Sequence, residues 1–255
     1  VDPDSVRICI ERHRPKLVSV SHIPTNSGLI QDVAAVGLIC RERDVVYLVD
    51  ACQSVGQMPV DVSEIQCDFL SATFRKFLRG PRGAGFLFVS DRALDLGLEP
   101  LMIDMQGARW VSRDMYTPVA GARRFEEWEH NYALMMGAHA ACQYALDVGI
   151  ERICRRIFRM ARVLREGLSR LPGARVLDKG SRQCAITTSF YQGVMASALQ
   201  ARLTGINVGL SLDEYAVIDF REKEVPWALR ASPHYYNTDG EIHLLLDRLQ
   251  GALTA

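Results

Sequence analysis

With 255 residues, the chain is long enough for one large domain or two modest ones, each with its own core. Hydrophobic residues make up 48% and charged residues 24%, as in an ordinary soluble globular protein, and 30 basic residues balance 30 acidic ones. That balance gives no ground for nucleic acid or an anionic membrane as a partner, and no apolar run reaches membrane-spanning length.

The first third alternates helical and strand patterns. Asp2-Pro3 pairs an N-cap with proline at the first helical position, opening a helix that ends near Arg14-Pro15. Lys16 to Ser21 is a short β-branched run, followed by the turn-rich Pro24-Thr25-Asn26-Ser27-Gly28. Gln31 to Arg43 has helical apolar spacing. Val45 to Val49 is a continuous apolar run ending in Asp50. Cys67 to Thr73 leads into Lys76, and Gly85 to Val89 follows a glycine-rich turn. Short apolar runs alternating with helices predict parallel strands buried on both faces of an open α/β sheet. Residues 91–125 read as irregular. Helices are predicted over Asn131 to Val148 and Ile150 to Leu171, the second stopped by Pro172-Gly173. Arg152, Arg155, Arg156, Arg159 and Arg162 are spaced as the wet face of that helix. Beyond it come strands at Ala174 to Leu177, Ala185 to Phe190 and Ala228 to Ser232. Helices are predicted near Val194 to Thr204 and from Asp239 to Leu253. The expected organisation is an α/β domain over 1–149, with a connecting helix and a smaller α+β domain over 150–255.

Seven cysteines, Cys9, Cys40, Cys52, Cys67, Cys142, Cys154 and Cys184, are scattered without a Cys-x-x-Cys pair. They suggest a reducing, cytoplasmic setting rather than a disulfide framework or a zinc site. His130, His139, His234 and His243 show no ligand spacing, so no metal is expected.

In an open α/β sheet, ligands bind beyond the carboxyl ends of the strands. Asn26 follows the first strand. Asp50 and Gln53 follow the second. Thr73, Arg75 and Lys76 follow the third. The fold should bring all six to one rim. Taken singly, a strand-end Asp is a common turn cap, and a Lys among arginines is a common solvated charge. Together they suit pyridoxal phosphate (PLP) chemistry. A carboxylate keeps the pyridinium nitrogen protonated, and a lysine amine forms the Schiff base. That amine must be neutral to attack, and the flanking charges of Arg75 and Arg79 would lower its pKa.

Three stretches carry a resemblance: His22-Ile-Pro-Thr-Asn-Ser-Gly28, Asp50-Ala-Cys-Gln-Ser-Val-Gly56, and Asp68-Phe-Leu-Ser-Ala-Thr-Phe-Arg-Lys76 with Gly80-Pro-Arg-Gly83 after it. Their order resembles the class V aminotransferase family of fold-type I PLP enzymes, which includes cysteine desulfurases. Leu229-Arg230-Ala231-Ser232, Tyr235-Tyr236-Asn237-Thr238 and Arg123-Arg124-Phe125-Glu126 extend the likeness almost from end to end. The resemblance implies the C-terminal part of a fold-type I large domain, mostly a parallel sheet with helices, plus a smaller α+β domain. It makes Lys76 the Schiff-base lysine and Asp50 the pyridinium partner. Gln53 would bond the ring hydroxyl oxygen, Asn26 would lie beside ring and substrate, and Thr73 would touch the phosphate. Arg75 stands where many members have histidine and is counted with the cofactor-binding residues. Arg230 would hold the carboxylate of a small amino-acid-like substrate. A homodimer is expected.

Departures from the family pattern narrow the activity. Phe-Arg-Lys-Phe-Leu-Arg-Gly-Pro-Arg-Gly looks closer to the branch of ergothioneine-pathway C–S lyases and isopenicillin-epimerase-like proteins. No cysteine lies between Cys184 and Arg230 or beyond it, which disfavours persulfide transfer by a loop thiolate. Glu126-Glu127-Trp128-Glu129 replaces a threonine that other members use on a phosphate. The family pattern also extends ahead of the position matching Val1, where the phosphate cradle and a ring-stacking aromatic belong. The leading expectation is therefore a PLP-dependent C–S lyase or a related elimination or epimerisation enzyme. The alternatives are a catalytically incomplete chain that needs a partner or further segment, and a cysteine desulfurase.

Overall fold

The computed structural model describes residues 1–212, 214 and 216–254. It contains two compact units. One is Val1–His22 with Asp32–Asp147; the other is Ile23–Gln31 with Val148–Ala255.

In the first unit, α1 (Pro3–His13) begins as its sequence predicts. The Asp2 carboxylate accepts from the Ser5 amide, Pro3 opens the helix, and Arg14 closes it in the left-handed conformation. Asp32 caps α2 (Val33–Glu42) in the same way, accepting from the Ala35 amide. Two short helices, α3 (Val62–Ile65) and α4 (Asp91–Asp95), follow. The strands β1 (Leu17–Ser21), β2 (Val46–Asp50), β3 (Phe69–Thr73) and β4 (Gly85–Val89) form one sheet in that spatial order. β1, β2 and β3 are parallel, with α2 and α3 in their connections. β4 runs antiparallel to β3. The segment 74–84 between them has no helix, and a parallel return needs a crossover of about a dozen residues or more.

The apolar runs predict burial on both faces, but one face alone is fully closed. Tyr47, Val49, Leu70 and Ala72 pack with Ile10 of α1, Val36 and Ile39 of α2 and Ile65 of α3. The alternate residues Val46, Leu48, Phe69 and Ser71 are half-buried, and Gly85, Phe86 and Leu87 of β4 are exposed. Sheet geometry imposes this period of two, since successive side chains point to opposite faces. Within 91–125, read from sequence as irregular, lies a hairpin of β5 (Ala108–Ser112) and β6 (Met115–Pro118). Its Arg113-Asp114 turn lacks an Asn-Gly-type signal, and its residues show no buried stripe. A 3-10 turn at Ala122–Phe125 precedes α5 (Tyr132–Val148).

The second unit is built on α6 (Ile150–Leu168). It buries Ile153, Ile157, Met160, Ala161, Leu164 and Leu168 and leaves Arg152, Arg155, Arg156, Arg159 and Arg162 exposed, the two faces its spacing predicts. Then come β7 (Ala174–Val176), β8 (Thr187–Tyr191), α7 (Ala196–Arg202), β9 (Gly209–Leu212), α8 (Val217–Glu222), β10 (Trp227–Ala231) and α9 (Asp239–Thr254). The sheet order is β7-β8-β10-β9, antiparallel throughout. Leu164, Leu168, Tyr191, Phe220, Trp227, Leu245 and Leu249 share its core. β9 and α8 were not anticipated: both are short, and Gly209 and Ser211 weaken the strand signal. The segment Ile23–Gln31, expected with the first domain, belongs to this unit. Leu29 bridges to Gln183, the Ile30 amide donates to the Arg182 carbonyl, and the Lys179 amide donates to the Ser27 carbonyl.

Among the described residues no helix is long and apolar enough to cross a membrane, and no group of three His, Cys, Asp or Glu is placed to hold a metal ion.

Candidate active site

The carboxyl ends of β1, β2 and β3 line up. Register pairs Ser21 with Asp50 and Asp50 with Ser71, so three polar residues stand side by side. The Asp50 backbone is held from both neighbours. Its carbonyl accepts from the His22 amide, and the next amide, Ala51, donates to the Ser71 carbonyl. Its carboxylate is aimed by the turn that follows. Oδ1 accepts from the Cys52 amide at 2.9 Å, and Oδ2 lies 3.5 Å from the Ser21 hydroxyl, which donates.

Beyond β3 the chain turns sharply. The Arg79 amide donates to the Lys76 carbonyl at 2.9 Å and the Gly80 amide to the Phe74 carbonyl at 2.7 Å. Phe74, Phe77 and Leu78 are buried and anchor this turn, while Lys76 is half-buried between exposed Arg75 and Arg79. The loop after Asp50 rests directly on it. Gly56 has φ of +90°, and a Cβ there would stand 2.6 Å from the Leu78 nitrogen and 2.7 Å from the Phe77 carbonyl carbon. Only glycine satisfies both the backbone angle and that approach.

Cys52 lies where the two loops meet. Burial raises its thiol pKa most, and the hydrogen bond to Asp50 and the Asp50 charge raise it further. The Lys76 ammonium and the Thr73 amide act in the opposite direction. Asp50, Cys52, Thr73 and Lys76 therefore form one electrostatic cluster. Gln53 is buried beside it, and its carbonyl accepts from the Gln57 side chain. The Thr73 hydroxyl donates to the Ala84 carbonyl at 3.2 Å, so its proton is directed at the backbone. The Arg79 guanidinium stands 5.1 Å from the Tyr144 ring centre. Of the two cations expected to flank the lysine, it is engaged with that aromatic face.

Asn26 belongs to the second unit, with Arg230. The Asn26 Oδ1 accepts from the Ser211 hydroxyl at 2.9 Å, and the Arg230 Nε donates to the Thr25 carbonyl at 2.8 Å. Burial lowers the Arg230 pKa, with Cys184 acting weakly against it; among the described residues no carboxylate pairs with it. A partly desolvated guanidinium with no carboxylate partner among the described residues is suited to an incoming anion. Sequence reasoning missed Ser21 and Cys52. The available signal was positional: Cys52 sits two residues after a strand-end Asp, where an Asx turn places its amide on the carboxylate.

The family model for class-V aminotransferases matches residues 1–245. A probable cysteine desulfurase of Methanothermobacter thermautotrophicus is 32% identical over 98% of this chain and 63% of its own length. The apo structure of the cysteine desulfurase from Thermococcus onnurineus NA1 superimposes with a TM-score of 0.90 at 26% identity, covering 100% of this chain and 63% of that one. A lysine-to-alanine mutant of C-DES, with glycine covalently linked to its PLP cofactor, gives a TM-score of 0.79 at 25% identity over 96% of this chain and 63% of its own. The chain thus spans somewhat less than two thirds of the relatives it matches. A rim that aligns Asp50 with the lysine turn, and a match running from Val1 into the last helix, place this chain in the class-V aminotransferase family.

Proposed function

We propose that this chain is the lysine- and arginine-bearing part of a PLP-dependent enzyme that cleaves a C–S bond in a sulfur-containing amino acid. The observation that carries the proposal is the cluster of Asp50, Cys52, Thr73 and Lys76, with the aspartate carboxylate and the lysine ammonium acting on one thiol from two strand ends. This donor set fits the ring end of the cofactor. The Asp50 carboxylate accepts from the Cys52 amide and the Ser21 hydroxyl and retains acceptor capacity for a pyridinium N–H. PLP, when bound, supplies an electron sink for charge released at the substrate α-carbon. Lys76 would hold the cofactor, and its amine would be placed to move the substrate α-proton. Asp50 would keep a negative charge at the ring nitrogen, Gln53 would donate to the ring hydroxyl oxygen, and Arg75 and Thr73 would serve the phosphate side, Thr73 by turning its hydroxyl from the Ala84 carbonyl. In the second unit, Arg230 takes the substrate carboxylate and Asn26 the neighbouring polar contact. Relatives named cysteine desulfurase and the PLP-bound C-DES structure support the substrate class. The absence of cysteine from 185–255 favours elimination over transfer to a protein thiol. A second copy of the chain is the proposed partner, and the exposed Trp110, Val111 and Met115 of the β5–β6 hairpin offer apolar surface for one.

The test adds PLP to wild type and to Lys76→Ala and compares their cofactor absorption bands; equal bands defeat the assignment of Lys76. With L-cysteine, elimination yields pyruvate, ammonia and sulfide. Alanine as product would instead establish the desulfurase outcome.

A further inference from the structure

The second unit contains a buried ion pair that the proposed chemistry does not use. The Arg165 Nε donates to the Asp178 Oδ2 at 2.6 Å, with side-chain exposures of 12% and 0%. The rest of both side chains is spent on backbone groups and one hydroxyl. The Arg165 Nη2 donates to the carbonyls of Cys184 and Ile186 at 2.6 and 2.7 Å. The Asp178 Oδ1 accepts from the Thr188 amide at 2.9 Å and its hydroxyl at 2.6 Å. Thr188 is the register partner of Arg230. The loop 23–31 presses on the same pair. A Cβ on Gly28 would lie 2.6 Å from the Ile186 carbonyl oxygen, 2.8 Å from the Arg165 Nη2 and 2.8 Å from the Asp178 carboxyl carbon. Three backbone bonds stitch that loop to 179–184: Lys179 to Ser27, Cys184 to Gly28 and Ile30 to Arg182. Its Thr25 carbonyl in turn receives the Arg230 Nε.

From this geometry we infer that the Arg165–Asp178 pair is a positioning device, which sets Asn26 and Arg230 on one frame for the substrate carboxylate. The inference rests on the proposed function for the role of those two residues. The frame itself rests on geometry alone. A planar fork serving one carboxylate and two carbonyls cannot be reproduced by an ammonium. Arg165→Lys keeps the charge and should leave the fold intact. In the cofactor-free protein, amide exchange at Lys179, Cys184 and Ile30 should quicken roughly tenfold or more while the core amide of Leu229 is unchanged. In the PLP-loaded protein the KM for L-cysteine should rise roughly tenfold with kcat within about threefold. Asp178→Asn retains an acceptor for Thr188, and should show the same pattern should Arg165→Lys fail to fold. Uniformly faster exchange across the unit, unchanged loop exchange, or an unchanged KM would each overturn the inference. Arg230→Lys separates the two readings. If it raises KM and the frame variants do not, the frame is wrong and the proposed function stands; if it leaves KM unmoved, the assignment of Arg230 fails and the inference with it.

Discussion

Asp50 and Gly56 do different work on the same loop, and single substitutions separate them. Asp50→Asn keeps an oxygen for the Cys52 amide but removes the negative charge from the strand end. The variant should fold and take up PLP, while turnover of L-cysteine falls on the order of a hundredfold or more, because a preorganised charge at the reacting system has been removed. Steady-state kinetics and cofactor absorbance check both halves. Gly56→Ala acts through packing. A methyl group at a φ of +90°, 2.6 Å from the Leu78 nitrogen, must move the turn that carries Lys76. Strain and overpacking together predict a loss of roughly 2–4 kcal/mol in denaturant unfolding, with weaker PLP uptake. Lys76, Asp50, Gln53 and Arg230 were legible as residue types following strand runs or in family motifs. Ser21 and Cys52 were not, because they act through inter-strand register and an Asx turn, which residue type does not display.

Among the elements, α6 tests how far periodicity carries. Its buried stripe and its arginine face are both legible in sequence, and the structure keeps them apart on opposite sides. Ile157 is fully buried and Arg155 is exposed. Ile157→Ala should cost about 2–5 kcal/mol by cavity formation, while Arg155→Ala should stay within about 0.5 kcal/mol of wild type. Urea titrations of the two variants give the comparison. The hairpin β5–β6 and the strand β9 show where the same reasoning fails. Their apolar residues do not recur on one buried face, so no period distinguishes them from loop. β4 shows a different limit. Its strand character is plain in sequence, but its antiparallel direction depends on the short, helix-free connection before it.

For the molecule as a whole, all seven cysteines are free, and three of them report on the two cores. Cys40 and Cys67 lie in the core of the first unit and Cys184 in the second; burial pushes each thiol up from 9.0 to about 11. A folded pKa above the ordinary one means that the unfolded chain ionises first. The stability held by protonated thiols is therefore intact below pH 9 and is lost as pH rises through 11, by up to about 2–3 kcal/mol for each buried thiol. Denaturant midpoints should fall steeply between those two pH values. A flat profile over that window would show that the thiols contribute nothing. At neutral pH an alkylating reagent should modify exposed Cys9 first. Cys40 and Cys67 should become reactive as the first unit unfolds, and Cys184 as the second does.

By itself the sequence determined the helix caps, the amphipathic stripe of α6, the strand runs and the identity of the residues fit for PLP chemistry. Each is a local property, set by dihedral preference, side-chain period or residue type over a few positions. Tertiary structure alone decided that residues 23–31 belong with the second unit, that Arg165 and Asp178 are buried against Gly28, and that Cys52 lies between Asp50 and Lys76. Those outcomes depend on hydrogen bonds and packing between residues far apart in the chain. A stretch such as Pro24-Thr25-Asn26-Ser27-Gly28 specifies a turn, but its place is chosen by backbone partners more than 150 residues downstream, at Lys179 and Cys184.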